Sequence, residues 1–327
     1  MSSIGGKRTV RDAAGSLRRL AARWGVRAHA IGRRGVDLAL GDSARARAVA
    51  RFFQARDIAA TAARRTVGRP GTVRLTWTSA DAVRRVGDLL PPLLAPAPQA
   101  LLFDLDGTLV DVTGSYEEAI VRTVASFLAP RRPPSRARVL AVKRSPAAND
   151  DVDAVLMALA RLGRRPPRAE VERRFDALYL GTAGRPGLVR TERWLISLGA
   201  LRHLAAWVPL AIVTGRPRLH ADLAFTRRCL RACFSAVVTV DDAPGKKPDP
   251  APLRVALRHV GVRHAWMIGD APADLLAARR AGVPAIGITE GRAAHEALLR
   301  RYRPLGLLTR ADEMVDVMRV RTAVENG

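Results

Sequence analysis

A chain of 327 residues with 48% apolar side chains has room for one domain of ordinary size and a smaller second one, each with a real core. Its two cysteines, Cys229 and Cys233, are too few and too isolated for a disulfide framework or a zinc site, and fit small core residues in a reducing compartment. The net charge of +25 invites a nucleic-acid or acidic-membrane partner, but only four of the 55 basic residues are lysine and arginine alternates with alanine throughout, so the charge reads as a compositional bias spread over a solvated surface.

Residues 1–21 are basic, nearly free of acids and without an apolar run long enough for a signal peptide. Residues 22–95 form a first unit. Val36 to Leu40 reads as a strand, Asp42 as the N-cap of a helix through Arg56, Ile58 to Ala62 and Thr72 to Trp77 as further strands, and Ser79 or Asp81 as the start of a last helix. This β-α-β-β-α order, with Gly68-Arg69-Pro70-Gly71-Thr72-Val73-Arg74-Leu75-Thr76 in its third strand, resembles the small carboxy-terminal domain of fold-type I aminotransferases, histidinol-phosphate aminotransferase in particular. The resemblance puts Arg74 at an anion-binding position. The large domain with its Schiff-base lysine is missing, so no pyridoxal phosphate is expected and the unit reads as an accessory domain. Pro91, Pro92, Pro96 and Pro98 interrupt the apolar run from Leu89 to Phe103, which reads as a stiff linker and not as a membrane span. No membrane partner is expected, and the chain reads as cytoplasmic.

Next comes Leu101-Leu102-Phe103-Asp104-Leu105-Asp106-Gly107-Thr108, an apolar run ending in two carboxylates one residue apart. The run reads as a buried parallel strand. Period-two alternation sends Asp104 and Asp106 to one face while Gly107 lets the backbone turn beneath them. Two carboxylates so close repel unless a cation joins them, which implies a hard divalent ion, most simply Mg²⁺.

Three further stretches follow in order: Leu210-Ala211-Ile212-Val213-Thr214-Gly215-Arg216-Pro217, Gly245-Lys246-Lys247-Pro248-Asp249-Pro250, and Met267-Ile268-Gly269-Asp270 with Asp274. Together the four resemble the motifs of the haloacid dehalogenase superfamily of phosphohydrolases, across residues 101 to 290. That resemblance makes Asp104 the nucleophile, Asp106 the general acid and base, Thr214 with the amide of Gly215 a phosphoryl-oxygen site, and Lys247 the phosphate-facing cation. Mg²⁺ would be held by Asp104, Asp270 and the backbone carbonyl of Asp106. Asp274, one helical turn after Asp270, would position Lys247 or a metal-bound water, or act simply as a first-turn helix acid.

Residues 112–193 are too long for a loop and read as an inserted helical cap of the superfamily's first class, subfamily IA-like, with helices over Tyr116 to Leu128, Asp151 to Leu162 and Arg168 to Leu180. Details of this segment resemble members associated with histidine biosynthesis. Asn149, Asp150, Asp151 and Asp153 make an acidic cluster in a basic chain, able to pair with a cationic substrate group or to cap the helix beside it. Residues 96–111 and 194–327 then form the catalytic core, a doubly wound α/β parallel sheet: strands Leu210 to Val213, Ala236 to Val240, Ala265 to Ile268 and Ala285 to Ile288 alternate with helices Leu219 to Cys229, Ala251 to His259 and Ala273 to Ala281.

The function expected is a Mg²⁺-dependent phosphatase of a small phosphorylated metabolite, working through an aspartyl-phosphate, with histidinol phosphate as the substrate suggested by the two resemblances. The alternatives are a phosphomutase, or a non-enzymatic regulatory or nucleic-acid-binding protein using the basic first unit; no nucleic-acid motif supports the latter. Oligomeric state is not legible.

Overall fold

The computed structural model describes residues 13–30, 35–62, 71–129, 132–144, 151–225 and 228–325. They fall into two compact units, Met1–Ala97 with Leu305–Leu308 and Asp312–Gly327, and Pro98–Pro304 with Thr309–Ala311.

In the first unit, α1 (Ala13–Ala22) and β1 (Arg27–Ala30) precede β2 (Gly35–Ala39), α2 (Ser43–Gln54), β3 (Ala60–Ala62), β4 (Thr72–Thr76) and α3 (Ala80–Leu94). The sheet order is β1-β2-β4-β3, antiparallel throughout. Val36, Leu38, Val73 and Leu75 point to one face by period-two alternation, and they are fully buried, as are Val49, Phe53, Val86 and Leu90 of the helices. Asp42 accepts the backbone N–H groups of Ala44 (3.2 Å) and Arg45 (2.5 Å), as an N-cap should. Arg74 is met by its cross-strand neighbour Asp37, which takes Nε and Nη2 at 2.9 Å each.

Three features of this unit depart from the sequence reading. α1 forms in the second half of the basic segment and runs one residue past it, where no element is expected from the sequence. The stretch from Pro91 is still helix as far as Leu94, the two prolines falling inside α3. Proline removes backbone donors, but the last carbonyls of α3 gain side-chain donors: Arg321 Nη1 reaches Pro92 O at 2.8 Å and Arg45 Nη2 reaches Leu93 O at 3.3 Å. Finally, helix Met314–Glu325 belongs here and not to the core, packing on α2 with Arg56 paired to Asp316 (3.0 Å) and Glu313 (3.5 Å).

The second unit begins with β5 (Ala100–Phe103) and β6 (Val110–Asp111). The inserted segment then folds as α4 (Tyr116–Leu128), α5 (Arg136–Leu140), a 3₁₀ turn at Ala141–Arg144, α6 (Asp151–Ala160), α7 (Arg168–Tyr179), the hairpin β7 (Gly181–Thr182) and β8 (Arg185–Pro186), and a 3₁₀ turn at Leu188–Thr191. The chain returns through β9 (Arg193–Trp194), antiparallel to β6, so outgoing and returning strands form a two-stranded ribbon. The inserted helices bury Ile120, Val124, Val155, Leu159, Val171 and Phe175 among themselves.

The chain continues through α8 (Leu198–Trp207), β10 (Leu210–Val213), α9 (Arg218–Ala224), α10 (Arg228–Arg231), β11 (Ala236–Val238), α11 (Ala251–Val260), β12 (Ala265–Gly269), α12 (Pro272–Ala281), β13 (Ala285–Ile288) and α13 (Ala293–Arg300). The expected single helix from Leu219 to Cys229 is two pieces among the described residues, α9 ending where Phe225 turns into the Trp194 and Phe234 cluster. Within this unit five parallel strands run β11-β10-β5-β12-β13. β5 is central and buried at every residue, which explains its uninterrupted apolar run. The α/β architecture expected from the alternating pattern is the one observed.

Candidate active site

Register brings the four motifs together. Phe103 of β5 pairs with Ile212 of β10 and Ile268 of β12, so Asp104, Thr214 and Asp270 emerge just past the carboxyl ends of three adjacent strands, where ligands collect in such sheets. Gly107 has φ +74°, and a Cβ there would collide with the Asp270 carboxylate, so only glycine fits this turn. Thr108 Oγ1 donates to Asp270 Oδ1 at 3.3 Å.

Lys247 is buried with all three ammonium hydrogens committed: to Asp104 Oδ1 (2.7 Å), Asp274 Oδ1 (2.5 Å) and the Val213 carbonyl (2.9 Å). The carboxylates raise its pKa despite the opposing effect of burial. Asp274, fully buried, uses its second oxygen to accept the Ala271 N–H at 3.0 Å, so it both holds Lys247 and caps α12. Thr214 is buried and its Oγ1 accepts the Arg216 N–H at 3.1 Å, leaving the hydroxyl hydrogen to donate elsewhere. Gly215, which follows it, is half-buried.

Carboxylate oxygens of Asp104, Asp270 and Asp274 lie within 4.8 Å of one another. Burial, then the neighbouring Asp274, pushes the Asp104 carboxyl up to about 7 against the pull of Lys247, and burial with Asp104 nearby raises Asp270 as well. A buried cluster of hard oxygen donors, more negative than Lys247 alone offsets, has the chemistry that suits Mg²⁺.

The principal feature that sequence reasoning missed is Arg216, quoted in the second motif but given no role. Its side chain is 1% exposed and forms a fork between two acids. Nε and Nη2 reach Asp106 Oδ1 at 2.7 and 2.5 Å, while Nη1 and Nη2 reach the two oxygens of Glu192 at 3.0 Å each. Nη1 also donates to Tyr179 Oη (3.0 Å) and the His220 carbonyl (3.2 Å), and the guanidinium lies 4.6 Å from the Tyr116 ring centroid. Tyr116 Oη lies 2.8 Å from His220 Nδ1, and burial, then the Arg216 charge, holds the His220 pKa down at about 4. The signal available was a charged residue directly after a strand-end motif, hidden in a chain where arginine is everywhere.

In the inserted segment, Asp151 lies 3.5 Å from Lys143, and Asp153 pairs with Arg168 at 2.6 Å. Asn149 and Asp150 lie outside the described residues. Burial works against the Lys143 charge, but Asp151, Glu117, Asp106 and Asp270 outweigh it and raise its pKa; this lysine was not singled out from sequence.

A relative from Phytophthora nicotianae named imidazoleglycerol-phosphate dehydratase is 34% identical over 203 residues, 60% of this chain; the chain spans only 44% of that relative's length. A Rhodospirillum rubrum protein named phosphoglycolate phosphatase is 34% identical over 213 residues, covering 59% of this chain and 80% of its own. Among solved structures, a haloacid dehalogenase-like family hydrolase from Streptococcus pneumoniae superposes with a TM-score of 0.54 at 22% identity over 68% of this chain and 98% of its own, a likeness of fold. The haloacid dehalogenase-like hydrolase family model matches residues 98–282, confined to the second unit and more than half of the sequence, so the chain belongs to the haloacid dehalogenase-like hydrolase family.

Proposed function

We propose that this hydrolase is a Mg²⁺-dependent phosphatase of small phosphorylated metabolites that works through an aspartyl-phosphate. The observation that carries this reading is the set Asp104, Lys247, Asp274 and Asp270, gathered at the carboxyl edge of the sheet with Thr214 beside it.

Asp104 attacks phosphorus, forming an O–P bond to its carboxylate as the bond to the ester oxygen breaks. Asp106 gives its proton to the departing alcohol, then as a carboxylate takes a proton from the water that attacks phosphorus in the second step. That second displacement releases phosphate and restores Asp104. Thr214 and the Gly215 amide bind a phosphoryl oxygen. Lys247, oriented by Asp274, offsets charge on Asp104 and on the phosphoryl group. Asp104, Asp270 and the Asp106 carbonyl would hold Mg²⁺, which supplies charge neutralisation between an anionic nucleophile and an anionic ester.

Two substrate readings rest on different cap residues. Asp150 and Asp151, with Asn149, support a cationic leaving group such as that of histidinol phosphate. Lys143, whose charge is felt by Asp106 and Asp270 and which already engages Asp151, supports an anionic tail, in line with relatives named for phosphoglycolate. A panel of histidinol phosphate, phosphoglycolate and sugar phosphates, with and without Mg²⁺, tests both. Preference for histidinol phosphate that weakens in Asp151→Asn favours the first; preference for phosphoglycolate that weakens in Lys143→Ala favours the second. Phosphoryl return to a sugar without phosphate release would replace the phosphatase reading with a phosphomutase.

A further inference from the structure

Arg216 joins three parts of the second unit that the chain keeps far apart. It follows β10 of the core; Asp106 lies in the loop that leads out to the cap; Glu192 lies just before β9, the strand that returns. Glu192 is itself bound to the cap, its Oε1 accepting from Ser115 Oγ at 2.9 Å and Tyr179 Oη at 3.0 Å. Since β6 and β9 pair as the ribbon between cap and core, the fork lies at the crossing of both connections.

The fork is also asymmetric on Asp106. Both guanidinium contacts go to Oδ1, and Oδ2 takes no hydrogen bond among the described residues. An acid placed this way has one oxygen fixed and one without a hydrogen bond among the described residues, and its side chain is 24% exposed. Glu192, 6% exposed, has no comparable access and serves only the network.

We propose that Arg216 is a positioning residue: by tying Asp106 Oδ1 to Glu192 and Tyr179 it presents Asp106 Oδ2 to the leaving-group oxygen, and makes that presentation depend on the cap connection. The inference rests on the phosphatase reading above. It assigns a role to Arg216, Glu192 and Tyr179 that a plain buried ion pair would not have, because their removal should damage proton donation specifically. Leaving groups separate the two roles. An alkyl phosphate needs a proton on its departing oxygen, whereas p-nitrophenyl phosphate expels a stable phenolate and needs little help.

The test compares wild type, Arg216→Lys, Glu192→Gln and Tyr179→Phe on p-nitrophenyl phosphate and on the best alkyl phosphate of the panel, with folding checked by near-UV circular dichroism. In folded Arg216→Lys or Glu192→Gln, kcat/KM for the alkyl ester should fall roughly 30-fold or more and for the aryl ester less than about threefold. If Arg216→Lys does not fold, Glu192→Gln and Tyr179→Phe decide, since they leave the guanidinium in place. An Asp106→Asn background adds an independent readout. There, Glu192→Gln should cost nothing further on the alkyl ester, because it acts through Asp106. Equal losses on both esters, additive losses in the double variant, or no loss in any folded variant overturns the positioning role. Wild type inactive on both esters overturns the phosphatase reading, and this inference with it, whereas Asp104-dependent wild-type turnover with equal losses overturns this inference alone.

Discussion

Asp274 gives one carboxylate oxygen to Lys247 at 2.5 Å and the other to the first turn of its own helix through the Ala271 N–H at 3.0 Å. A neutral amide has only one acceptor oxygen, so Asp274→Asn must give up one of these bonds and the charge together. The expected outcome is a loss of about 1–3 kcal/mol in unfolding free energy and at least a tenfold drop in kcat/KM. Denaturant unfolding and steady-state phosphate release measure the two; an unchanged kcat/KM would separate Asp274 from the active centre.

Asp104→Asn should abolish turnover and leave the fold intact. It should also change how stability depends on pH. Burial and Asp274 hold the Asp104 carboxyl near 7 against 3.8 when unfolded, so the metal-free native state keeps a proton that the unfolded chain has released. That contribution is fully present below about pH 3.8 and is lost as pH rises through about 7. Metal-free wild type should therefore lose stability relative to Asp104→Asn between pH 5 and 8, and Mg²⁺ should stabilise wild type more at the upper end. Melting curves with EDTA and with Mg²⁺ across this range check both parts.

His220 works with the opposite sign. Its folded pKa of about 4 lies below the unfolded value of 6.5, so the unfolded chain takes up a proton first as pH falls. Stability from the neutral ring is present above pH 6.5 and lost on acidification towards pH 4, by about 3 kcal/mol. His220→Phe should flatten the wild-type curve over this window when the two are compared by urea unfolding. Parallel curves would mean the ring does not titrate there.

Gly107→Ala adds one methyl group where φ is +74° and the Asp270 carboxylate is in the way. The variant should lose about 1–3 kcal/mol of stability and most of its melting-temperature response to Mg²⁺, since the loop and Asp270 cannot both keep their places. A full Mg²⁺ response would show that the loop absorbs the change without moving Asp270.

The four motifs were legible because each is a local pattern with a local cause. An apolar run marks a buried parallel strand, and its abrupt end in Asp104, Thr214 or Asp270 marks the edge where ligands bind. Helices Tyr116–Leu128 and Arg168–Tyr179 were likewise legible from their apolar spacing. Arg216 and Glu192 were not, since nothing local distinguishes an arginine that finds a buried carboxylate 24 positions earlier from the many that face water. Nor does the pair Pro91-Pro92 carry the information that Arg45 and Arg321 supply donors around it. The membership of helix Met314–Glu325 in the first unit depends on a partner more than two hundred residues away.

The strand Gly306–Leu308 and the helix Met314–Glu325 give the first unit a discontinuous chain, opened at residue 97 and resumed only at residue 305, after nearly all of the hydrolase unit. During synthesis from the N-terminus, the first unit thus completes its core only after residues 98–304 have been made. Until helix Met314–Glu325 emerges, α2 lacks the surface that receives Arg56, and the carbonyl of Pro92 lacks Arg321. The hydrolase unit is contiguous apart from the short Thr309–Ala311 return and closes first. Sequence separation this large slows the docking that finishes the first unit, so the side of α2 that receives Met314–Glu325 waits uncovered the longest and is the surface most in need of protection in the nascent chain.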